Sequence, residues 1–283
     1  MLRFLTASAL LLAVLAACSP LKTFDALVPK DGGARLVARG VAYGSDPRQT
    51  LDVYQPTATG RDRPVVVFFY GGSWSSGTRD GYQFAGRALA AQGFVVVIPD
   101  YRLVPQVRFP GFVEDGAAAV RWAEAHAEEF GGDGGRVVLM GHSAGAHIAA
   151  MLALDERWLG ADRAAVMGLV GLAGPYDFLP LDPGAAQAAF GGWPRPDETQ
   201  PITFADAGDP PALLLTGAKD TTVRPRNSEA LAARLTAAGV TARLVSYPDV
   251  AHIGILTALS EPFRGKAPVL ADTAEFVRRV TSP

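Results

Sequence analysis

The pattern of apolar and polar positions from Ala34 onward alternates between two textures. One is the near-continuous apolar run: "PVVVFFY" (Pro64 to Tyr70), "FVVVIPD" (Phe94 to Asp100), "RVVLM" (Arg136 to Met140), "VMGLVGLAG" (Val166 to Gly174), "ALLLTG" (Ala212 to Gly217) and "ARLVSY" (Ala242 to Tyr247). Runs without period-two alternation predict strands buried on both faces, as parallel strands are. Two earlier segments, "ARLVARGVAYG" and "QTLDVYQP", flank the turn-forming Gly44-Ser45-Asp46-Pro47 and predict an antiparallel start to the sheet. The second texture is helical: Arg79 to Gln92, Val113 to Phe130, Ala144 to Leu154, Pro225 to Ala238 and Pro268 to Val280 have the length and composition of helices. Their alternation predicts an α/β domain over residues 34–283, a mostly parallel sheet of about eight strands covered by helices on both faces. One irregular insertion, residues 175–211, is rich in Pro, Gly, Asp and aromatics and follows a strand at the sheet's carboxyl edge, so it predicts a small lid or pocket wall.

The first residues follow a different logic. Arg3 gives a positive start, and Leu10-Leu11-Leu12-Ala13-Val14-Leu15 an apolar stretch too short to span a bilayer comfortably. The segment closes on "LAAC" (Leu15 to Cys18), which resembles a bacterial lipobox, where the cysteine is acylated and becomes the new N-terminus. Residues 1–17 are therefore expected to be a lipoprotein-type signal peptide, with Cys18 the lipidation site. Cys18 is the single cysteine, so no internal disulfide can form, and its place at a small-residue cleavage site argues for acylation rather than redox or metal chemistry. Residues 18–33 show no sustained period and end in a glycine pair, which predicts a tether. The expected location is the bacterial cell envelope, at the periplasmic face of the outer membrane or the cell surface, with the body anchored to a membrane and not inserted in it. Cleavage without acylation would leave a secreted or periplasmic protein.

Composition narrows the partners. Of 283 residues, 49% are hydrophobic, ample for a large core, and the formal charge is −2 with no basic stripe interleaved with aromatics, which argues against nucleic acid.

The chemistry concentrates at "RVVLMGHSAGAH" (Arg136 to His147). A serine between a buried strand and a helix, boxed by Gly141 and Gly145, matches the G-x-S-x-G nucleophile elbow, where small neighbours allow a sharp turn that lifts the hydroxyl above the sheet. A serine hydroxyl needs a base, and the base a carboxylate. Of the four histidines, His126 lies within a helix, His142 adjoins Ser143 and should point away from it, and His147, one turn on, should pack beneath the elbow. His252 remains, in "YPDVAHIG" after the last strand. Asp220, in "LLLTGAKD", is favoured as the acid over Asp177 and Asp249, giving the order Ser143, Asp220, His252, that of the α/β-hydrolases. The developing oxyanion needs preorganised N–H donors. Ala144 supplies one, and "GGSW" after the third strand supplies Gly72 and Ser73.

Together these residues resemble the α/β-hydrolase superfamily, and within it the hormone-sensitive-lipase-like carboxylesterases and their prenylcysteine-methylesterase-like and kynurenine-formamidase-like relatives. "YGGSW", "PDYRL" (Pro99 to Leu103), "GHSAGAH" and "TGAKDTTV" (Thr216 to Val223) carry the resemblance. It implies Ser143 as nucleophile, Asp220 and His252 as its relay, Gly72, Ser73 and Ala144 as oxyanion donors, and no cofactor or metal. Tyr70 stands where the family has the histidine of its His-Gly-Gly-Gly loop, and Ser73 where it has the third glycine, so Tyr70 must find other partners to fix the loop. Without the helical cap frequent in the lipase-like group, the chain is nearer the methylesterase- and formamidase-like subgroup. The expected activity is hydrolysis of small to medium, largely apolar esters through an acyl-enzyme, with Trp74, Phe178 and Trp193 as candidate pocket residues. Arylformamide or other amide hydrolysis by the same triad stays open, as does a non-catalytic envelope lipoprotein. Oligomeric state is not legible.

Overall fold

A computed structural model describes residues 20–282. Its strands are β1 (Ala34–Ala42), β2 (Thr50–Pro56), β3 (Arg63–Phe69), β4 (Val95–Pro99), β5 (Gly132–His142), β6 (Val166–Leu172), β7 (Ala212–Gly217) and β8 (Ala242–Tyr247). They form one eight-stranded sheet in the order β1-β2-β4-β3-β5-β6-β7-β8. β1 pairs antiparallel with β2 and β2 antiparallel with β4, while every pairing from β4 to β8 is parallel. The runs read as doubly buried behave that way in β4 and β7, where every residue is buried. β8 is the correction. It is an edge strand with alternating exposure, and Leu244 stands 37% exposed.

The helices are α1 (Pro20–Leu27), α2 (Gln83–Ala90), α3 (Gly111–His126), α4 (Ala144–Leu154), α5 (Glu156–Leu159), α6 (Ala185–Phe190), α7 (Arg226–Ala237), α8 (His252–Thr257) and α9 (Val269–Val280). Right-handed crossovers decide the layers: β3 to β4 runs one way across the sheet, β4 to β5 and β5 to β6 the other, so α2 lies on one face and α3 and α4 on the opposite one. Contacts of α3 with α4 and of α2 with α9 agree. The expected helix 79–92 is split by a 3₁₀ turn at Arg79–Gly81, capped by the Thr78 side chain.

The expected tether is also corrected. Residues 20–27 form α1, docked on the body: the buried Asp25 carboxylate accepts the Phe84 N–H at 2.8 Å, and Phe24 sits edge-on to Phe84 at 5.1 Å. Leu21, Phe24 and Val28 recur at helical spacing, which lets this short segment bury one side. The expected signal peptide and Cys18 lie outside the described residues. Among the described residues, no helix is long and apolar enough to cross a membrane.

Candidate active site

β5 carries the elbow to the middle of the sheet's carboxyl edge. Ser143 takes φ 54° and ψ −124°, a left-handed conformation that side chains adopt only under constraint. Its neighbours impose that constraint. A Cβ on Gly141 would collide with the Gly145 backbone, and one on Gly145 with the carbonyls of Phe69 and Tyr70. The Ser143 N–H donates to Leu172 of β6 at 2.9 Å, and its carbonyl accepts from Ala146 and His147 as α4 begins.

Two loops arrive from other strand ends. Asp220 follows β7 and is 4% exposed, with Oδ1 accepting the N–H groups of Thr222 and Val223 at 2.9 Å each. His252 opens α8 and is 8% exposed. Its Nδ1–H donates to Asp220 Oδ2 at 2.7 Å, and the Ser143 hydroxyl donates to its Nε2 at 2.9 Å. A neutral imidazole has one donor and one acceptor nitrogen, and this pairing selects the tautomer whose free nitrogen faces the serine. The structure thus brings Ser143, His252 and Asp220 into one hydrogen-bonded row. Neither competing carboxylate bonds His252: Asp249 is exposed and paired with Lys219 at 2.7 Å, and Asp177 is held through its backbone N–H, which donates to Asn227.

The loop expected to supply the oxyanion donors follows β3. Gly72 (φ 137°), Ser73 (φ 53°) and Trp74 (φ 57°) form a left-handed run, closed by Ser75 and Ser76 donating back to the Gly72 carbonyl at 3.0 Å. Gly71 lets the loop touch the elbow, since a Cβ there would stand 3.0 Å from the Ser143 Cβ. Among the described residues, the N–H groups of Gly72, Ser73 and Ala144 donate to no protein acceptor.

Tyr70 finds its partners across the fold. Its hydroxyl donates to Asp100 Oδ1 at 2.7 Å and accepts from Arg48 at 2.8 Å, while its carbonyl accepts the Tyr101 hydroxyl at 2.7 Å. Burial, with the neighbouring Tyr101 and Asp100, pushes the Tyr70 hydroxyl far above the ordinary tyrosine range, so it remains a donor. Arg48 also donates to the Gly77 carbonyl at 3.0 Å, and Tyr82 to that of Gly71 at 3.4 Å. This network grips the oxyanion loop at Tyr70, Gly71 and Gly77, and nothing local in the sequence announces it.

His142 and His147 hold two further contacts. His147 Nε2–H donates to the Thr199 carbonyl at 2.9 Å, tying the elbow helix to the 175–211 insertion, and its ring meets Trp74 edge-on at 5.4 Å. His142 does turn from the serine, as expected, yet its Nε2–H donates to the backbone carbonyl of His252 at 3.1 Å. Burial lowers the two imidazoles to about 3 for His142 and about 4 for His147, so both are neutral near pH 7. Nothing near His142 in the sequence signals this contact, because its partner lies on α8, far along the chain. His126 is at the end of α3, hydrogen-bonded to Glu129 at 2.6 Å and away from the site.

The expected pocket residues separate. Phe178 borders a cleft of about 340 Å³ between the start of the insertion and the loop after Asp220. Trp74, 5% exposed, packs into an aromatic cluster with Phe178 and Phe190. Trp193 stacks edge-on against Phe109 at 5.1 Å and donates to Glu198. Trp74 thus packs beneath the insertion and Trp193 within it, and neither borders that cleft, whose lining also lacks Ser143, Asp220 and His252.

The BD-FAE family model matches residues 51–235, well over half of the chain. A carboxylesterase of Mycobacterium tuberculosis, NlhH, is 34% identical over 87% of this chain and 83% of its own length. The isoprenylcysteine alpha-carbonyl methylesterase of Arabidopsis thaliana is 30% identical over 84% of this chain, which spans only 61% of that relative. Among solved structures, esterase B from Lactobacillus Rhamnosis superposes with a TM-score of 0.81 at 23% identity, covering 99% of this chain and 95% of that one.

Proposed function

Because the chain belongs to the BD-FAE family and has the α/β-hydrolase fold, we propose that it is a serine carboxylesterase acting on small to medium carboxylic esters. The observation that carries this reading is the row Ser143–His252–Asp220, with hydrogen bonds of 2.9 and 2.7 Å at the centre of the carboxyl edge. The names of the relatives, a carboxylesterase and a methylesterase, support ester chemistry.

In the first step, Ser143 Oγ attacks the ester carbonyl as its proton moves to His252 Nε2. Asp220 stabilises the resulting imidazolium through the Nδ1–H bond and holds the ring in place. The tetrahedral oxyanion is met by the free N–H groups of Gly72, Ser73 and Ala144, where a single donor is worth roughly 10²–10³ in rate. Collapse breaks the bond to the leaving oxygen, which takes the His252 proton and departs as the alcohol, leaving an acyl-serine. Water then gives a proton to His252, attacks the acyl carbon, and releases the acid as the proton returns to Ser143.

We also assign the protein to the bacterial cell envelope, anchored through an acylated Cys18, on the strength of the apolar leader and "LAAC". Hydrolysis of a chain-length series of p-nitrophenyl esters, beside the Ser143→Ala variant and an arylformamide, tests the esterase. Ester turnover lost in the variant supports it. Turnover of the formamide alone moves the activity to amides. Folded protein that turns over neither substrate and fails to label with a serine-reactive phosphonate removes the enzyme reading.

A further inference from the structure

The leader and the docked helix have a joint consequence. Two peptide steps separate Cys18 from Pro20, the first residue of α1, a span of at most about 7 Å. A flexible tether over residues 18–33 would instead let the body drift roughly 20 Å from its anchor. α1 is fastened along one side and just beyond its C-terminal end. Asp25 accepts the Phe84 N–H, Phe24 packs on Phe84 and Phe263, and Asp31 pairs with Arg264 at 2.6 Å.

These fastenings lie on the carboxyl edge of the sheet. Gly81 and Phe84 follow the oxyanion loop, and Phe263 follows the helix headed by His252. Two contacts link α1 to the site: Lys22 lies against Gly81, and the next residue, Tyr82, donates to the Gly71 carbonyl beside Ser143. Three large hydrophobic residues are exposed among the described residues: Leu27, 79% exposed, at the end of α1, whose Phe24 packs on Phe263; Ile253, 55% exposed, beside His252 and ten residues before Phe263; and Leu244, on the edge strand β8.

We propose that this carboxyl edge is a membrane-docking face: the anchored protein lies with the mouth of its active site against the lipid surface, Leu27 and Ile253 entering the interface, and it draws its ester from the bilayer. The inference rests on the lipid-anchor reading of Cys18. The anchor supplies the occupant and the direct run into α1 supplies the orientation. An acyl chain or amphipathic alcohol then reaches Ser143 from the headgroup region without crossing water.

The test uses the acylated protein recovered from a bacterial host and reconstituted in vesicles of phosphatidylethanolamine with a minority of phosphatidylglycerol. Hydrogen exchange is compared with that of the unacylated Cys18→Ser protein in solution. The expected result is slowed exchange over residues 20–28 and 253–266, with β8 unchanged. Protection confined to β8, or none at either place with Cys18 acylated, overturns the orientation and leaves the anchor. Absence of acyl mass on Cys18 overturns the anchor reading and the docking face together. As a second readout, Leu27→Asp should slow hydrolysis of a vesicle-borne long-chain ester roughly tenfold while leaving a water-soluble ester untouched. An equal loss on both substrates would overturn the docking role.

Discussion

The elbow at Ser143 and the oxyanion loop at Gly71–Gly77 are both left-handed turns at neighbouring strand ends, in contact through Gly71, yet they are held by different forces. At the elbow the restraint is steric: Gly141 leaves the room that the Gly145 backbone takes, and Gly145 the room that the carbonyls of Phe69 and Tyr70 take at the end of β3. At the loop it is polar and remote. Arg48 comes from the turn before β2, Asp100 and Tyr101 from beyond β4, and Tyr82 from the start of the next helix, each gripping a loop carbonyl or the Tyr70 hydroxyl. A turn kept by excluded volume tolerates no added atom. A turn kept by a network can lose one member and persist with a less exact geometry.

Removing the point where the two meet gives the largest effect. Ser143→Ala should lower kcat at least about 10⁴-fold with an unchanged melting temperature, as steady-state rates and a thermal melt would record. Breaking the steric half comes next: Gly145→Ala places a methyl against the carbonyls of Phe69 and Tyr70, and chemical denaturation should show a loss of about 3 kcal/mol or more, or no folded protein. A melt like that of the parent would mean that the elbow is looser than its contacts indicate.

The polar half should yield more gently. Tyr101→Phe leaves the buried Tyr70 carbonyl without its 2.7 Å donor, at a cost of about 1–3 kcal/mol. Because the loop positions donors for the transition state, kcat should fall about 10- to 100-fold while KM changes little. A rise in KM alone would place Tyr101 in substrate binding instead. Smallest at neutral pH is the effect of the His147 titration beneath the elbow. Its folded pKa of about 4 lies below the ordinary histidine value, so the unfolded chain binds the extra proton first. Stability is full above about pH 6.5 and is lost as pH falls towards 4, with a slope of up to about 1.4 kcal/mol per pH unit. In melts between pH 7 and 4.5, His147→Phe should flatten that slope, and an unchanged slope would assign the acid sensitivity to another group, His142 first.

The legibility of the site follows the same division. Ser143, Asp220 and His252 could be named from the chain because each stands just beyond an apolar run, and strand ends on one edge of a parallel sheet converge. Gly71 and Gly72 could be named because a glycine pair after a strand marks a turn. The Tyr70 partners could not, since Arg48 and Asp100 are polar residues in loops with no local sign of direction. The His142 contact was hidden similarly: adjacency to Ser143 says which way the ring does not point, and only α8 folding back shows what it meets. α1 does not stand out in the sequence because its eight residues form too short a helix to be stable alone, and it is packing against Phe84 and Phe263 that keeps it folded.

By itself, the sequence determined the alternation of strands and helices, the elbow, and which serine, acid and base could share an edge. These rest on periodicity, glycine sterics and chain order, all of which act over a few residues or follow from the handedness of the crossovers. Tertiary structure alone decided how the loop after β3 is gripped, that β8 is a half-exposed edge, that Trp74 packs within an aromatic cluster, and that residues 20–27 dock on Phe84 and Phe263. Each of these depends on segments that meet only when the sheet is assembled, and a hydrogen bond or packed ring has no local signature until its partner arrives.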